Sequence, residues 1–414
     1  MLLEFKVENF RSIKSEITLN LTASTDRANP ANLIHETDYA PTLLKTVAIY
    51  GANASGKTNL VRSIQLLSKL VMTSHTYQKD QPLPFSPFKL DPACSTAPTT
   101  FNIIFVNNGI KYAYELSFDR QKILEEKLYH YPNNKKATIF ERTKTNNYKF
   151  TTDEREQKTF SERTLDNVLY LSKSTQENYS KTADAFDWLT KKLAVITTDT
   201  HDAVLSDFTV RLVAKDPAIK ETILKALLEA DLGIEDFSTE YKKFTAGDMK
   251  NVPPEILELI FKKAGEIEAY QIRTKHAGIT FDFESEESAG TKRMFSLIGP
   301  WLYTLKNGGT LVVDELDTKL HHMLNLFLIG LFHDSRQNKK NAQMIFTTHN
   351  VKLLDQNLFR RDQIRLTERN TKTGNTSLVS LDEYHPRKDK DIEKGYLAGR
   401  YGALPFIKGD KILK

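Results

Sequence analysis

The apolar positions of the chain follow three patterns. Near the start they alternate: Leu3, Phe5 and Val7 share one face, and Ile17, Leu19 and Leu21 share another after the turn-like Asn9-Phe10-Arg11-Ser12. Such alternation predicts an antiparallel pair of half-buried strands. A continuous apolar run follows, Val47-Ala48-Ile49-Tyr50, and reads as a buried strand. Behind it Leu60, Ile64, Leu67 and Val71 recur at helical spacing. Pro82, Pro84, Pro87, Pro92 and Pro98 mark a connector over 80–100. Strand-like runs then return at 101–106, 110–118, 123–131 and 137–142, with Asn107-Asn108-Gly109 as a hairpin turn. The expectation is an antiparallel sheet inserted after the first helix.

From about 155 to 265 the chain becomes charged and helix-prone. Ile219, Ile223, Leu224, Leu227 and Leu228 make one helical stripe over 217–230, and Gly233 is placed to stop it. Pro253-Pro254 opens a second helix with Ile256, Leu259 and Ile260. This stretch reads either as a structural lid or as a region that senses a partner or effector. Strand patterns resume at Tyr270-Gln271-Ile272 and at Ile279-Thr280-Phe281-Asp282-Phe283. Two further buried strands end in polar residues: Thr310-Leu311-Val312-Val313 runs into Asp314-Glu315, and Gln343-Met344-Ile345-Phe346 into Thr347-Thr348-His349-Asn350. The expected divisions are 1–154, a mainly helical insertion at 155–266, 267–384, and a tail at 385–414.

Between the first buried strand and its helix lies Gly51-Ala52-Asn53-Ala54-Ser55-Gly56-Lys57-Thr58, a full G-x-x-x-x-G-K-S/T match in the strand–loop–helix context that a phosphate-binding loop requires. Backbone N–H groups and the helix N-terminus would cradle phosphates. Lys57 would reach the β- and γ-phosphates, and Thr58 would ligate Mg²⁺. In a P-loop ATPase the strand ending in Asp314-Glu315 lies beside the loop strand, where Asp314 holds the Mg²⁺ water shell and Glu315 serves as general base. His349 ends its strand where α/β sheets place ligands and is positioned to bond a γ-phosphate. Ser288 and Gly290, before a helix running to about residue 305, form another anion-binding helix start. One nucleotide does not need two such cradles in one chain, but two chains packed head to tail would use both.

Composition narrows the class. Of 414 residues 40% are hydrophobic and 27% charged, as in ordinary globular proteins. No apolar run approaches the roughly 20 residues that span a bilayer. Glu4, Lys6 and Glu8 argue against a signal peptide, so a cytoplasmic protein is expected. The single cysteine, Cys94, excludes an intrachain disulfide framework and a cysteine-rich zinc site. A net charge of +5 permits nucleic-acid contact without arguing for it.

These segments, in this order, resemble the ABC-type ATPase heads, and within them the SMC, double-strand-break-repair and OLD-family ATPases. By that resemblance 51–58 is Walker A, 288–290 the signature motif, Asp314-Glu315 Walker B and His349 the switch histidine. Residues 318–321 fall at the D-loop, with His321 where transporters usually carry Asp. Asn9-Phe10-Arg11-Ser12 is similar to the N-terminal element of SMC-like heads, which puts Arg11 near the nucleotide. The implied fold is α/β, an ABC/SMC-type P-loop ATPase head with an antiparallel β subdomain and a helical insertion. The implied ligands are ATP and Mg²⁺. Arg11, Gly51, Asn53, Ser55, Gly56, Lys57, Thr58 and Asn59 would bind nucleotide, with Ser288 and Gly290 completing the site in a homodimer or higher homo-oligomer.

Pro87-Phe88-Lys89-Leu90, Arg360-Arg361-Asp362-Gln363-Ile364 and the tail segment 393–402 carry the resemblance further. They are similar to the AAA ATPases of bacterial phage defence and abortive infection, the RloA/AbiL-like group related to Septu and PARIS. That family implies a separately encoded effector, often a nuclease; no room for a fused nuclease is expected before Lys414. Asp382-Glu383 and Asp389/Asp391, among Arg387, Lys388 and Lys390, read as a solvated loop or as a docking site for a partner or nucleic acid. Rival readings are a DNA-repair or chromosome-type ATPase, which usually carries a long coiled coil, a transporter subunit with a membrane partner, and a monomeric P-loop kinase.

Overall fold

The structure is a computed structural model that describes residues 1–35, 37, 39–244, 267–386 and 391–404. The helix expected from Pro253-Pro254 and the charged stretch 387–390 lie outside the described residues. The chain divides into two compact units, one built from Met1–Thr198, Thr304–Asp317 and Leu328–Lys414, the other from Asp199–Tyr303 and Thr318–Phe327.

The first unit holds two large sheets and one two-stranded pair. Strands β1 (Leu2–Glu8) and β2 (Ile17–Asn20) pair antiparallel. The short strands β3 (Leu33–Ile34) and β4 (Leu43–Leu44) form a separate pair, and β5 (Thr46–Gly51) leads into the helix Lys57–Thr73. Beyond the proline-rich connector come β6 (Thr99–Asn107), β7 (Ile110–Phe118), β8 (Ile123–Tyr131), β9 (Ala137–Thr143) and β10 (Asn147–Phe150). The sequence suggested two antiparallel pieces. They are one seven-stranded sheet in the order β10-β9-β8-β7-β6-β1-β2, because β1 pairs along β6. The β6–β7 turn is a two-residue hairpin: Asn107 pairs with Ile110, and Asn108 (φ 50°) and Gly109 (φ 75°) both take the left-handed conformation a type I′ turn needs.

One expected face is corrected. Phe5 and Val7 enter the main core, but Leu3 does not. The pairing of β1 with β6 shifts register between Leu2 and Glu4. This bulge sends Leu2 into the main core and Leu3 into a separate small cluster with Ile34, Ala40, Leu43 and Val106.

The second sheet has the order β11-β15-β16-β5-β17-β18, where β11 is Leu193–Ile196, β15 Thr310–Val313, β16 Gln343–Thr347, β17 Ile364–Arg369 and β18 Thr376–Ser380. Its first five strands run parallel, and only β18 is antiparallel to its neighbour. Leu60, Val61, Ile64, Leu67 and Val71 of the loop helix share one core with Val47 and Ile49 of the parallel sheet and Phe5, Phe101 and Phe105 of the antiparallel sheet. Trp188 stacks on Phe105 with ring centroids 4.2 Å apart.

β11 changes the expected division. The insertion assigned to 155–266 starts with helices Glu154–Glu162, Tyr170–Gln176 and Ser180–Asp187, yet Leu193–Ile196 then joins the parallel sheet beside β15. These residues therefore belong to the first unit, and the second begins at Asp199. The tail is not a separate piece either. Its helix Ile392–Leu397 packs Tyr396 edge-on against Tyr50 of β5, with ring centroids 6.0 Å apart.

The second unit is not purely helical. Helices Asp202–Lys215 and Ala218–Glu229 accompany an antiparallel sheet of β12 (Asp236–Phe244), β13 (Ile267–His276) and β14 (Ile279–Asp282). Phe237 and Phe283 both pack on Phe295 of the helix Ala289–Asn307, with centroids 5.2 and 4.9 Å away. The helical stripe over 217–230 is corrected at one position: Ile219, Ile223 and Leu227 are buried, but Leu228 is 64% exposed, and Ala226 is buried instead.

A buried ion pair fastens the antiparallel sheet to the helices that follow it. Glu126 of β8 and Arg142 of β9 are cross-strand partners with no exposed side-chain surface, 3.6 Å apart. Glu126 accepts from Tyr114 Oη and from the N–H groups of Tyr170 and Leu171. Arg142 donates to the carbonyls of Thr145 and Val168. Burial pushes the Glu126 carboxyl up, and Arg142 with these donors opposes it. Removing one partner of such a pair leaves an uncompensated buried charge. Arg142→Met is expected to destabilise the fold by about 3–5 kcal/mol, measured as a fall in denaturation midpoint.

Candidate functional site

The loop 51–58 takes its shape from two glycines. Gly51 has φ +156° and Gly56 φ +111°. A Cβ on Gly51 would lie 2.3 Å from Thr367 Oγ1, and one on Gly56 would lie 2.3 Å from Thr376 Oγ1. Neither position admits another residue without distortion. The loop is tied down from β17 and β18. Ser55 Oγ and Thr367 Oγ1 are 2.7 Å apart, Thr367 Oγ1 donates to the Tyr50 carbonyl, and Thr376 Oγ1 lies 2.9 Å from the Ser55 carbonyl. Asn53 and Ala54 are exposed at its tip.

Asn9-Phe10-Arg11-Ser12 is a tight turn closed by bonds between Phe10 and Ile13, with positive φ at Asn9 and Arg11. It abuts the loop: Asn59 Nδ2 in the first turn of the loop helix donates to Ser12 Oγ at 2.8 Å, and Thr376 Oγ1 sits at 2.8 Å from the same oxygen. Arg11 is exposed next to this junction, its guanidinium 5.6 Å from the Phe10 ring centre.

Across the sheet edge the acids gather. β15, β16 and β5 are parallel neighbours, so Asp314, His349 and the loop all emerge at their C-terminal ends. Lys57 is only 5% exposed, and its Nζ donates to the carbonyls of Gly51 at 2.8 Å and Ala52 at 3.1 Å. Burial lowers its pKa to about 8, while the charges of Asp314, Glu315 and Asp317 act to raise it. Asp314 is 1% exposed. Burial pushes its carboxyl up, helped by Glu315, against the hydroxyls of Thr347 and Thr58 and the Lys57 ammonium. His349 is held by its own N–H, which donates to Asp317 Oδ1 at 3.3 Å. Partial burial, then the Lys57 ammonium, keep its imidazole below the ordinary pKa; Asp317, Glu315 and Asp314 oppose them.

Two residues that sequence reasoning passed over organise this edge. Thr347 Oγ1 donates to Asp314 Oδ1 at 2.7 Å and accepts the Glu315 N–H at 2.7 Å, so one hydroxyl holds the Asp314 carboxylate and the Glu315 backbone together. Glu315 itself has φ 52°, which turns the chain sharply at the end of β15. Asp317 is the other, as the partner of the His349 backbone. The signal for Thr347 was its place at the end of the buried strand that runs on into His349. For Asp317 no pattern in the sequence marked it.

The arrangement has one unmet demand. Asp314 Oδ2 is buried and makes no hydrogen bond. A buried carboxylate oxygen of this kind, beside the Thr58 hydroxyl, suits a hard divalent cation that takes oxygen ligands.

Ser288 and Gly290 lie in the second unit, apart in the chain's division from Lys57 and Asp314. Ser288 Oγ accepts the Thr291 N–H at 3.0 Å, capping the helix Ala289–Asn307. Glu287 just before it accepts from Thr274 Oγ1 and lies 2.6 Å from His276 Nε2. The charged residues of the tail have local roles. Glu383 Oε1 accepts the Ser380 N–H and Asp391 Oδ1 the Lys394 N–H, each capping a short helix, and Arg360 is buried on Asp362.

The strand ending in Asp314-Glu315 is not beside the loop strand as expected, because β16 lies between β15 and β5. A phosphate loop after β5 of a parallel sheet, two acids ending a strand of the same sheet, an antiparallel sheet on the loop helix and a capped signature-like turn define a P-loop ATPase of the ABC/SMC head type. Residues 47–355 match the family described as "AAA domain, putative AbiEii toxin, Type IV TA system". The chain belongs to that family. No curated protein matches it. Solved structures with a similar course include the SMC head domain from Thermotoga maritima, at 15% identity, 92% of this chain, 98% of that one and a TM-score of 0.42. An Smc head with an extended coiled coil bound to the C-terminal domain of ScpA, derived from Pyrococcus furiosus, has 12% identity, 93% and 97% coverage and a TM-score of 0.41. RecF-ATP, a recombination mediator protein, has 15% identity, 84% and 93% coverage and a TM-score of 0.34. No helix among the described residues is long and apolar enough to cross a membrane.

Thr347 supplies a test of how the acids are set. Thr347→Val keeps the volume and removes the hydroxyl. It is expected to lower ATP turnover by roughly tenfold to a hundredfold, the usual cost of losing an orienting partner, with nucleotide affinity little changed. Steady-state kinetics alongside equilibrium ATP binding would check this, and normal turnover would show that the acids need no such support.

Proposed function

We propose that this protein binds and hydrolyses ATP at a site completed by a second copy of itself, and that its ATP state controls a separately encoded effector in antiviral defence. The observation that carries the ATPase reading is the meeting of Lys57, Asp314, Glu315 and His349 at one sheet edge, with Asp314 Oδ2 unpartnered. The family's printed description, a toxin of a type IV TA system, accords with the defence role.

In this reading the N–H groups of 53–58 wrap the phosphates. Lys57 leaves the loop carbonyls for the β- and γ-phosphates, Arg11 and Asn59 flank the nucleotide from the other side, and His349 bonds the γ-phosphate. Thr58 and Asp314 would hold Mg²⁺, which when bound neutralises charge on the β- and γ-oxygens. Glu315 takes the proton of the attacking water. Ser288 and Gly290 face the γ-phosphate held by the other copy, so dimerisation at that face depends on ATP.

Three variants test it. Lys57→Ala removes a charge-assisted contact to phosphate and is expected to abolish ATP binding in titration calorimetry; affinity at the wild-type level would take Lys57 out of the site. Glu315→Gln is expected to bind ATP, to form ATP-dependent dimers by mass, and to turn over roughly 10²-fold more slowly.

Ser288→Arg places bulk and positive charge where the other copy's Lys57 site docks. It is expected to bind ATP as a single chain and to lose hydrolysis. Mixed with Lys57→Ala protein it should regain part of the activity, because a mixed pair forms one site from an intact loop and an intact 288–290 turn. A mixture as inactive as either parent, with mixed dimers shown to form, would mean that both motifs act in one chain or that the two sites fire only together. DNA-stimulated turnover with no co-purifying protein would favour the DNA-repair or chromosome-type reading instead.

A further inference from the structure

The helix Asp202–Lys215 opens with a carboxylate that serves two cations at once. Asp202 Oδ1 accepts from Arg293 Nη1 at 2.8 Å, and Asp202 Oδ2 accepts from Lys319 Nζ at 2.9 Å. Arg293 lies in the helix Ala289–Asn307, three residues after Gly290 and so on the same face. Lys319 lies in 318–321, the segment that follows Asp314 and Glu315 in sequence. The two segments also touch directly: a Cβ on Gly290 would meet the Lys319 carbonyl oxygen at 3.3 Å. Arg293, Lys319, Gly290 and Asp202 thus form a closed figure inside the second unit, with backbone contact on one side and a shared carboxylate on the other.

The energetics single out the carboxylate. The Arg293 side chain is 8% exposed and its Nε is buried without a hydrogen-bond partner. The ion pair through Nη1 therefore carries much of what compensates a buried guanidinium. Lys319 is half-exposed and has its charge nearby. Burial alone would raise the Asp202 carboxyl, but the bonds from Lys319 and Arg293 outweigh it and hold the group below the ordinary carboxylate range. Without this carboxylate two cations would face each other across the Gly290 contact, and the surface lysine would swing out toward water.

Resting on the two-copy reading above, we propose that Asp202 is a positioning residue. It locks the 288–293 turn and the 318–321 segment at one spacing, so that both meet a nucleotide held by a second copy as a single preformed surface. Preorganisation of this kind acts on the reacting complex more than on capture of the ligand. Asp202 is paired to Arg293 and Lys319 rather than assigned to the nucleotide, and the residues assigned to ATP around Lys57 belong to the other unit.

The test uses the full chain and steady-state ATP hydrolysis with Mg²⁺. Asp202→Ala is expected to lower kcat by roughly tenfold or more while KM stays within about twofold. Asp202→Glu should restore most of kcat, since it keeps the charge that both cations share. A protein destabilised in general would have a smaller folded fraction, which lowers apparent kcat at unchanged KM, so kcat is counted per ATP-binding site titrated in the same sample; a loss per site, rescued by Glu, is what mispositioning predicts. If Asp202→Ala does not fold, Asp202→Asn, equal in size, is measured in its place. Wild-type kcat in the folded variant overturns the proposal, as does a parallel change in kcat and KM.

The underlying two-copy reading is scored separately by the mass of Glu315→Gln with ATP. If that protein dimerises and Asp202→Ala keeps full turnover, the dimer stands and the clamp falls. If it never dimerises, the two-copy reading falls, and with it the clamp as stated. In the Glu315→Gln background, Asp202→Ala is expected to bind ATP normally and to dimerise at least tenfold more weakly.

Discussion

Burial of charge at the C-terminal end of three parallel strands is the constraint on which this molecule turns. Lys57 and Asp314 are both nearly enclosed. Taking either from water is costly unless an opposite charge or a hydrogen bond replaces the lost hydration. The protein meets that demand only in part. Lys57 rests on two backbone carbonyls, which compensate an ammonium less well than anionic oxygens would, and its pKa falls to about 8. Asp314 satisfies one oxygen on Thr347 and leaves the other with none. A phosphate and a divalent cation are complementary to these two deficits, one for each. The site is thus held in tension by its own solvation rather than by backbone strain alone.

Everything around the loop serves to keep that edge in place. The helix Lys57–Thr73 carries a continuous apolar stripe into the core shared by both sheets, which fixes the direction of its N-terminus. Thr367, Thr376 and Ser12 then pin the loop and the first helical turn from β17, β18 and the Asn9–Ser12 turn. These are hydroxyl contacts of short reach, so they specify position. The two glycines allow the close approach that those hydroxyls require. Apolar burial sets the helix axis, and small polar side chains set the last few ångströms.

How much of this was legible depended on whether a feature was local. The strand–loop–helix at 46–73 was readable because its periodicity, glycines and lysine all sit within one window. The hairpin at 107–110 was readable for the same reason: Asn-Gly supplies both left-handed residues. Leu3 was misplaced because a bulge in the pairing with β6, nearly a hundred residues away, decides its face. β11 was missed because a four-residue apolar run inside charged helical sequence looks like a helix segment until β15 is there to pair with it. The candidate site divides in the same way. Asp314, Glu315 and His349 follow strand ends, and Lys57 a helix start, that the sequence marks. Thr347 and Asp317 matter through partners about thirty residues distant, and a threonine at the end of a strand has no outward sign that its hydroxyl bridges the Asp314 carboxylate and the Glu315 N–H.

The second unit extends this logic to longer range. The 288–293 turn is held from two directions by carboxylates that differ in environment. Glu287, before the cap, is fixed by Thr274 and His276 on β13. Asp202, at the start of another helix, is fixed by Arg293 and Lys319. Neither β13 nor that helix contributes to the loop at 51–58, which lies in the other unit. A displacement of β13 acts on the residue just before Ser288, and a displacement of the helix Asp202–Lys215 acts three residues after Gly290. The turn is therefore bracketed by two elements, β13 and the helix Asp202–Lys215. The contacts at both brackets, 2.6 Å between His276 and Glu287 and 2.8 and 2.9 Å from Arg293 and Lys319 to Asp202, are hydrogen bonds whose strength depends on donor angle as well as distance, so the orientation of β13 and of the helix Asp202–Lys215 sets that of the turn.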